Sequence, residues 1–215
     1  MGATLRIDIV MFDGFEPLDV FGPVEVLGCL GGIDGSPTDT ELRFVSLDGG
    51  TVRGSYGVPV ETERIRGTDD PDVVVMPGGA GTRPLVCDGR FLTVLRGLAG
   101  SAGFCLTVCT GSVLLAGTGL LDGHRATSNK RALSWVKSVR PQVDWIGCAR
   151  WVRDGRFVTS SGVSAGIDMA LGFIASQYGS ELAECIAHDT EYIWNNDPRK
   201  DPFASPDIND VRGRR

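Results

Sequence analysis

Apolar and polar positions along this chain follow two rhythms that take turns. Leu5 to Phe12 is a short apolar run closed by Asp13-Gly14, which reads as a strand and a turn. The stretch FEPLDVFGPVEVLGCLGG then sets Leu18, Val20, Phe21, Val24, Val26 and Leu27 on a helical stripe, and Gly22-Pro23 predicts a break in its first turns. Glu41 to Leu47 alternates like a strand and stops at Asp48-Gly49-Gly50. TVRGSYGVPVETER reads as a hairpin punctuated by Gly54 and Gly57. Asp72 to Pro77, DVVVMP, is the unbroken apolar run of a strand covered on both faces of a parallel sheet.

The rhythm continues with a helix over Phe91 to Ala99, a strand over Phe104 to Val108, and a second helical run from Ser112 that glycines close between Gly119 and Gly123. Arg125 to Thr127 reads as extended and Lys130 to Lys137 as helical. Val143 to Trp151 and Arg156 to Ser160 read as two strands around the turn Asp154-Gly155. A long apolar helix follows SSGVSAG, and Glu181 to Trp194 forms another. Strands alternating with helices predict a flavodoxin-like three-layer α/β/α sandwich with a mainly parallel sheet. One α/β domain over residues 1–194 and a polar tail over 195–215 are expected.

Composition narrows the partners. With 215 residues and 42% hydrophobic content, the chain is long enough for one ordinary core. A formal charge of -6 and the lack of any basic run argue against nucleic acid, so a small molecule is the expected partner. The cysteines at 29, 87, 105, 109, 148 and 185 follow no metal-ligand spacing. MGATLRIDIVMF enters a strand pattern without the basic region and long apolar core of a signal peptide or membrane span, and with free thiols this implies a cytoplasmic protein with no membrane partner.

Candidate chemistry gathers where strands end. Phe104 to Val108 leads into Cys109, and Thr110, Gly111 and Ser112 open the next helix. A cysteine at such a turn sits at the positive end of a helix dipole, where thiolate is favoured. The glycine loop Gly78 to Gly81 follows the buried strand but lacks the lysine of a phosphate loop, so the Gly79 and Ala80 amides are expected to face an anionic intermediate. Asp19 reads as a helix-cap carboxylate or as an acid directed into a pocket, and Asn129 as an N-cap. Asp168, inside an apolar helix, is expected to be buried and paired.

The stretches FDGFEPLDVFGPVEVL, DVVVMPGGAG, VCTGSVLLAGTGLLDGHRAT and TSSGVSAGIDMAL, in this order over most of residues 5 to 175, resemble the ThiJ/PfpI superfamily. They are similar to its branch of isocyanide hydratases and of amidase-like domains in some AraC-type regulators. The resemblance implies that Cys109 is the nucleophile, that Asp19 contacts and steers the thiol, and that Thr110 matches the hydratase pattern. It implies that Gly79 and Ala80 supply oxyanion-side amides, and that the chain pairs as a homodimer. Peptidase- and amidase-like members carry a histidine where this chain has Asn129, and neither His124 nor His188 takes that position, so a Cys-His dyad is not expected.

Three readings follow from the resemblance. In the first, Cys109 adds to an isocyanide and Asp19 moves the protons, giving an N-substituted formamide without metal or organic cofactor. The second is a glyoxalase-like or other cofactor-free reaction at the same cysteine. The third is a ligand or redox sensor, in which an exposed, low-pKa thiol oxidises readily.

Overall fold

The computed structural model describes residues 4–33, 36 and 38–204. The expected segments at 1–3 and 205–215 lie outside them. In chain order the elements are β1 (Thr4–Val10), α1 (Pro17–Gly32), β2 (Asp39–Ser46), β3 (Gly50–Arg53), β4 (Pro59–Arg64), β5 (Val73–Met76), α2 (Thr82–Leu85), α3 (Gly89–Ser101), β6 (Phe104–Thr107) and α4 (Gly111–Gly117). They continue as β7 (Arg125–Ala126), α5 (Leu133–Val139), β8 (Asp144–Trp145), β9 (Trp151–Asp154), β10 (Phe157–Ser160), α6 (Ala165–Tyr178) and α7 (Ser180–Asp189).

Eight strands form one sheet in the order β3-β4-β2-β1-β5-β6-β10-β9. Pairing is parallel from β4 through β10, and β3 and β9 add antiparallel edges. Helices α1, α6 and α7 pack together, as do α2, α3, α4 and α5, so helices flank a mostly parallel sheet in the flavodoxin-like manner. The central strand β5 explains why its sequence is all apolar: each of Val73, Val74, Val75 and Met76 is fully buried. Each such side chain contributes about 1.5–3 kcal/mol relative to exposure. Strand order places the loops after β1, β5, β6 and β10 side by side at the carboxyl edge of the sheet, where ligands bind in this architecture.

Three sequence expectations need correction. Helix α1 runs unbroken through Pro23. Proline removes one backbone bond there, but tertiary contact decides: a Cβ on Gly22 would lie 2.7 Å from Ile167 Cγ1, and one on Gly166 would lie 3.2 Å from Pro23 Cγ. The Gly-Pro pair therefore lets α1 lie close against α6. The strand expected over Val143 to Trp151 divides into β8, paired with β7, and β9, paired with β10, because the chain changes partners between them.

The last helix, expected to reach Trp194, stops at Asp189. Glu191 adopts φ 50, and beyond it the Tyr192 hydroxyl, the Trp194 indole N–H and the Asn195 N–H turn inward to donate to Asp168. Asp168 is itself buried and accepts from Arg150 Nε at 2.8 Å, so the expected paired role holds. No described helix is long and apolar enough to cross a membrane.

Candidate active site

Cys109 follows β6 and precedes α4, and its backbone is left-handed, with φ 57. A side chain there costs roughly 1–2 kcal/mol. The neighbouring chain holds the turn in place: Cys109 N–H donates to Ser161 O at 3.1 Å, and its carbonyl accepts the Ser128 and Ser112 hydroxyls at 2.9 and 3.1 Å. Each net bond of this kind is worth about 1 kcal/mol, enough together to offset the strain. Gly111 permits the tight elbow, since a Cβ there would collide with Met76 O and lie 2.8 Å from Pro77 O.

Three groups, two side chains and one backbone amide, converge on the thiol. The Asp19 carboxyl, the Thr110 N–H and the Asn129 side-chain amide all act on Cys109 Sγ. Asp19 comes from the first turn of α1 and is fully buried. Its Oδ2 accepts the Gly78 N–H at 2.9 Å, while Oδ1 is buried without a hydrogen-bond partner among the described residues. Asn129 serves two ends at once: Oδ1 accepts the Arg131 and Ala132 N–H groups at 2.9 and 3.2 Å, and the amide acts on the thiol. The expected capping role is thus present together with a role at the sulfur.

The electrostatics differ from the expectation of a ready thiolate. Burial, and then the negative charge of Asp19, pushes the Cys109 thiol up to about 12, outweighing the Thr110 N–H and Asn129 that favour the anion. Burial likewise raises Asp19 to about 7, against the lowering effect of the Gly78 amide, with Glu16 adding to the rise. At neutral pH the resting pair is a neutral thiol beside a carboxyl poised between its two forms. Cys109 is 7% exposed, so it is also not the exposed, acidic thiol that a redox sensor requires.

Thr110 Oγ1 accepts the Gly79 N–H and the Thr82 hydroxyl, each at 3.1 Å. The Gly79 amide, expected to face an anionic intermediate, is therefore engaged with Thr110. Ala80 is exposed, and its carbonyl accepts the Arg83 N–H at 3.2 Å. The structure accordingly brings Asp19, Cys109, Thr110 and Asn129 together, with Gly79 joined to them through Thr110. The two histidines lie elsewhere: His124 Nδ1 is 3.3 Å from Asp154 Oδ2, and His188 is exposed beside Asp189.

Gly78, read only as part of the glycine loop, and Gly162 carry roles that the sequence did not assign. A Cβ on Gly78 would come within 2.6 Å of Thr110 N and 2.8 Å of Asp19 Oδ2, and one on Gly162 would collide with Asn129 Nδ2 and lie 2.8 Å from Cys109 Sγ. The run of small residues in SSGVSAG was the available signal. Beside Gly162 and Asn129 opens a pocket of about 530 Å³, also lined by Leu18, Val163 and Phe203. Among the described residues no cluster of three or more His, Cys, Asp or Glu side chains could hold a metal ion.

A parallel α/β sheet with a left-handed cysteine at a strand-to-helix elbow, and an acid from the first helix beside it, defines a cysteine-nucleophile type of site. Residues 5–176 match the DJ-1/PfpI family, and the chain belongs to it. It is 34% identical over 192 residues to isonitrile hydratase of Pseudomonas putida, an alignment covering 88% of this chain and 79% of that protein. It is 30% identical over 184 residues to the HTH-type transcriptional regulator GbdR of Pseudomonas aeruginosa, covering 84% of this chain but 49% of the regulator. The crystal structure of a ThiJ/PfpI family protein from Pseudomonas syringae superposes with a TM-score of 0.76 at 27% identity, covering 89% of this chain and 76% of that one.

Proposed function

We propose that this chain is a cofactor-independent isocyanide hydratase that converts R–N≡C and water to an N-substituted formamide. The observation that carries the reading is the buried Asp19 carboxyl beside the Cys109 thiol, held at about 7, where one group both accepts and returns a proton near neutral pH. The similarity to isonitrile hydratase supports it, and no imidazole is needed.

In this reading the ionised Asp19 takes the Cys109 proton as Sγ bonds to the terminal isocyanide carbon. The same proton passes to that carbon, which leaves a neutral thioimidate, R–N=CH–S. Water then adds to the carbon as Asp19, ionised again, accepts one of its protons and hands that same proton to the nitrogen. The product of this step is R–NH–CH(OH)–S. Cleavage of the C–S bond returns the electron pair to sulfur, the hydroxyl proton returns to the thiol through Asp19, and R–NH–CHO leaves. Thr110 N–H and the Asn129 amide stabilise sulfur while it carries charge.

The test is formamide formation from a simple isocyanide by wild type, Cys109→Ala and Asp19→Asn. Loss of turnover in the first variant and a severe cut in the second are expected. Near-normal formamide from Cys109→Ala would defeat the nucleophile assignment, and turnover of methylglyoxal without isocyanide turnover would move the reaction to the glyoxalase-like class. The homodimer implied by the resemblance is checked in the same preparations by sedimentation.

A further inference from the structure

The segment 195–204 has neither helix nor strand, yet it is tied down at several points. Pro198 O accepts the Arg150 N–H at 2.8 Å, and Asp201 N–H donates to Cys148 O at 3.1 Å. The Asp201 side chain is fully buried and lies 3.7 Å from Lys130 Nζ and 3.8 Å from Arg150 Nη1. Lys130 is buried too, with Nζ donating to Ala149 O at 2.6 Å and Thr127 Oγ1 at 2.8 Å. Burying this many charges is costly unless each is paired, so the segment has a fixed position.

That position delivers an aromatic ring. Phe203 N–H donates to Asp201 Oδ1 at 2.9 Å, and the Phe203 side chain, 68% exposed, lines the same pocket as Leu18, Asn129 and Gly162. Leu18, the other large apolar side chain there, is 44% exposed and adjoins Asp19 in sequence. The pocket is therefore lined both by Asn129 and Gly162, which stand beside the thiol, and by two unburied apolar side chains, Leu18 and Phe203. Phe203 and Leu18 together give this pocket an apolar wall beside its polar groups, the kind of surface that an apolar part of a ligand covers.

We infer that Phe203 is a specificity-determining residue, presented by the anchored segment 195–204 to contact the apolar organic substituent of the substrate while Cys109 takes its reacting carbon. This rests on the hydratase reading, and its test is arranged to separate the two. The first arm compares kcat/KM for cyclohexyl and methyl isocyanide in wild type, Phe203→Ala and Phe203→Met. Losing the ring lowers the cyclohexyl-to-methyl ratio about tenfold in Phe203→Ala, and the long apolar side chain of Phe203→Met restores most of it.

The second arm does not need hydratase activity. Alkylation of Cys109 by iodoacetamide and by N-cyclohexyl iodoacetamide is followed on the Cys109 peptide by mass spectrometry. The preference for the cyclohexyl reagent falls several-fold in Phe203→Ala. If wild type makes no formamide but the alkylation preference moves, the reaction assignment fails and the role of Phe203 stands. An unchanged preference in both arms overturns the role of Phe203, whatever the reaction proves to be.

Discussion

Gly162 lies so close to Asn129 that a Cβ on the glycine would collide with the amide Nδ2 and stand 2.8 Å from Cys109 Sγ. Gly162→Ala must push the amide or the thiol aside. Because displacements of about 1 Å at a reacting centre cost on the order of 100-fold in rate, kcat/KM for formamide formation should fall by about that factor. Thermal unfolding alongside the assay checks that the variant still folds; a variant that folds with wild-type kcat/KM would remove Asn129 and Gly162 from the account.

Asp19 should make the protein less stable as pH rises. Folded, it keeps its proton to about pH 7; unfolded, it loses it near the ordinary value of 3.8. Folding thus takes up a proton between these limits, and stability falls as pH climbs through that window. Asp19→Asn, which cannot ionise, should turn over far more slowly yet gain stability over wild type at pH 8, by a few kcal/mol at most, with the gain shrinking toward pH 4. Urea midpoints at the two pH values measure it, and a gain as large at pH 4 as at pH 8 would contradict the assignment.

Thiol reactivity should report the same pair from the other side. With Cys109 pushed up to about 12, its alkylation by iodoacetamide should keep rising through pH 9 to 11 instead of levelling off near neutrality. Removing the charge in Asp19→Asn should shift the profile to lower pH. A plateau below pH 8 in wild type would mean that the Thr110 N–H and Asn129 outweigh burial.

Asp168 joins two regions. It accepts from Arg150 Nε, the Tyr192 hydroxyl at 3.0 Å and the Asn195 N–H at 3.0 Å, all out of contact with solvent on the carboxylate side. Asp168→Ala leaves the Arg150 guanidinium buried without its main partner, a loss of about 3–5 kcal/mol. A urea midpoint shift of that size, with faster proteolysis after residue 190, is the expected result; a shift under 1 kcal/mol would assign the anchoring to Asp201 instead.

Much of the fold was legible because local pattern and tertiary role coincide. DVVVMP is apolar throughout because β5 is buried between β1 and β6, and the Cys109 turn was visible because small residues follow an apolar strand. The failures are places where a distant partner decides. Gly22-Pro23 looks like a helix break until α6 is seen against it, and the end of α7 depends on Asp168, more than twenty residues earlier. The proximity of Cys109 and Asp19 was legible, but not the charge state of the pair. A turn at a helix N-terminus suggests thiolate, whereas burial and a neighbouring carboxyl, which no local pattern records, decide for the thiol.

The glycines around Cys109 also govern the approach to it. Gly78 leaves room for both Thr110 and Asp19 beside its own backbone, Gly162 lets Asn129 and the sulfur meet, and free volume opens on the side of Leu18 and Phe203. A molecule that reaches the sulfur from that side passes Leu18 and Phe203 first and meets Asn129 and Gly162 before the thiol, so any side chain added at Gly162 narrows the approach as well as displacing the amide.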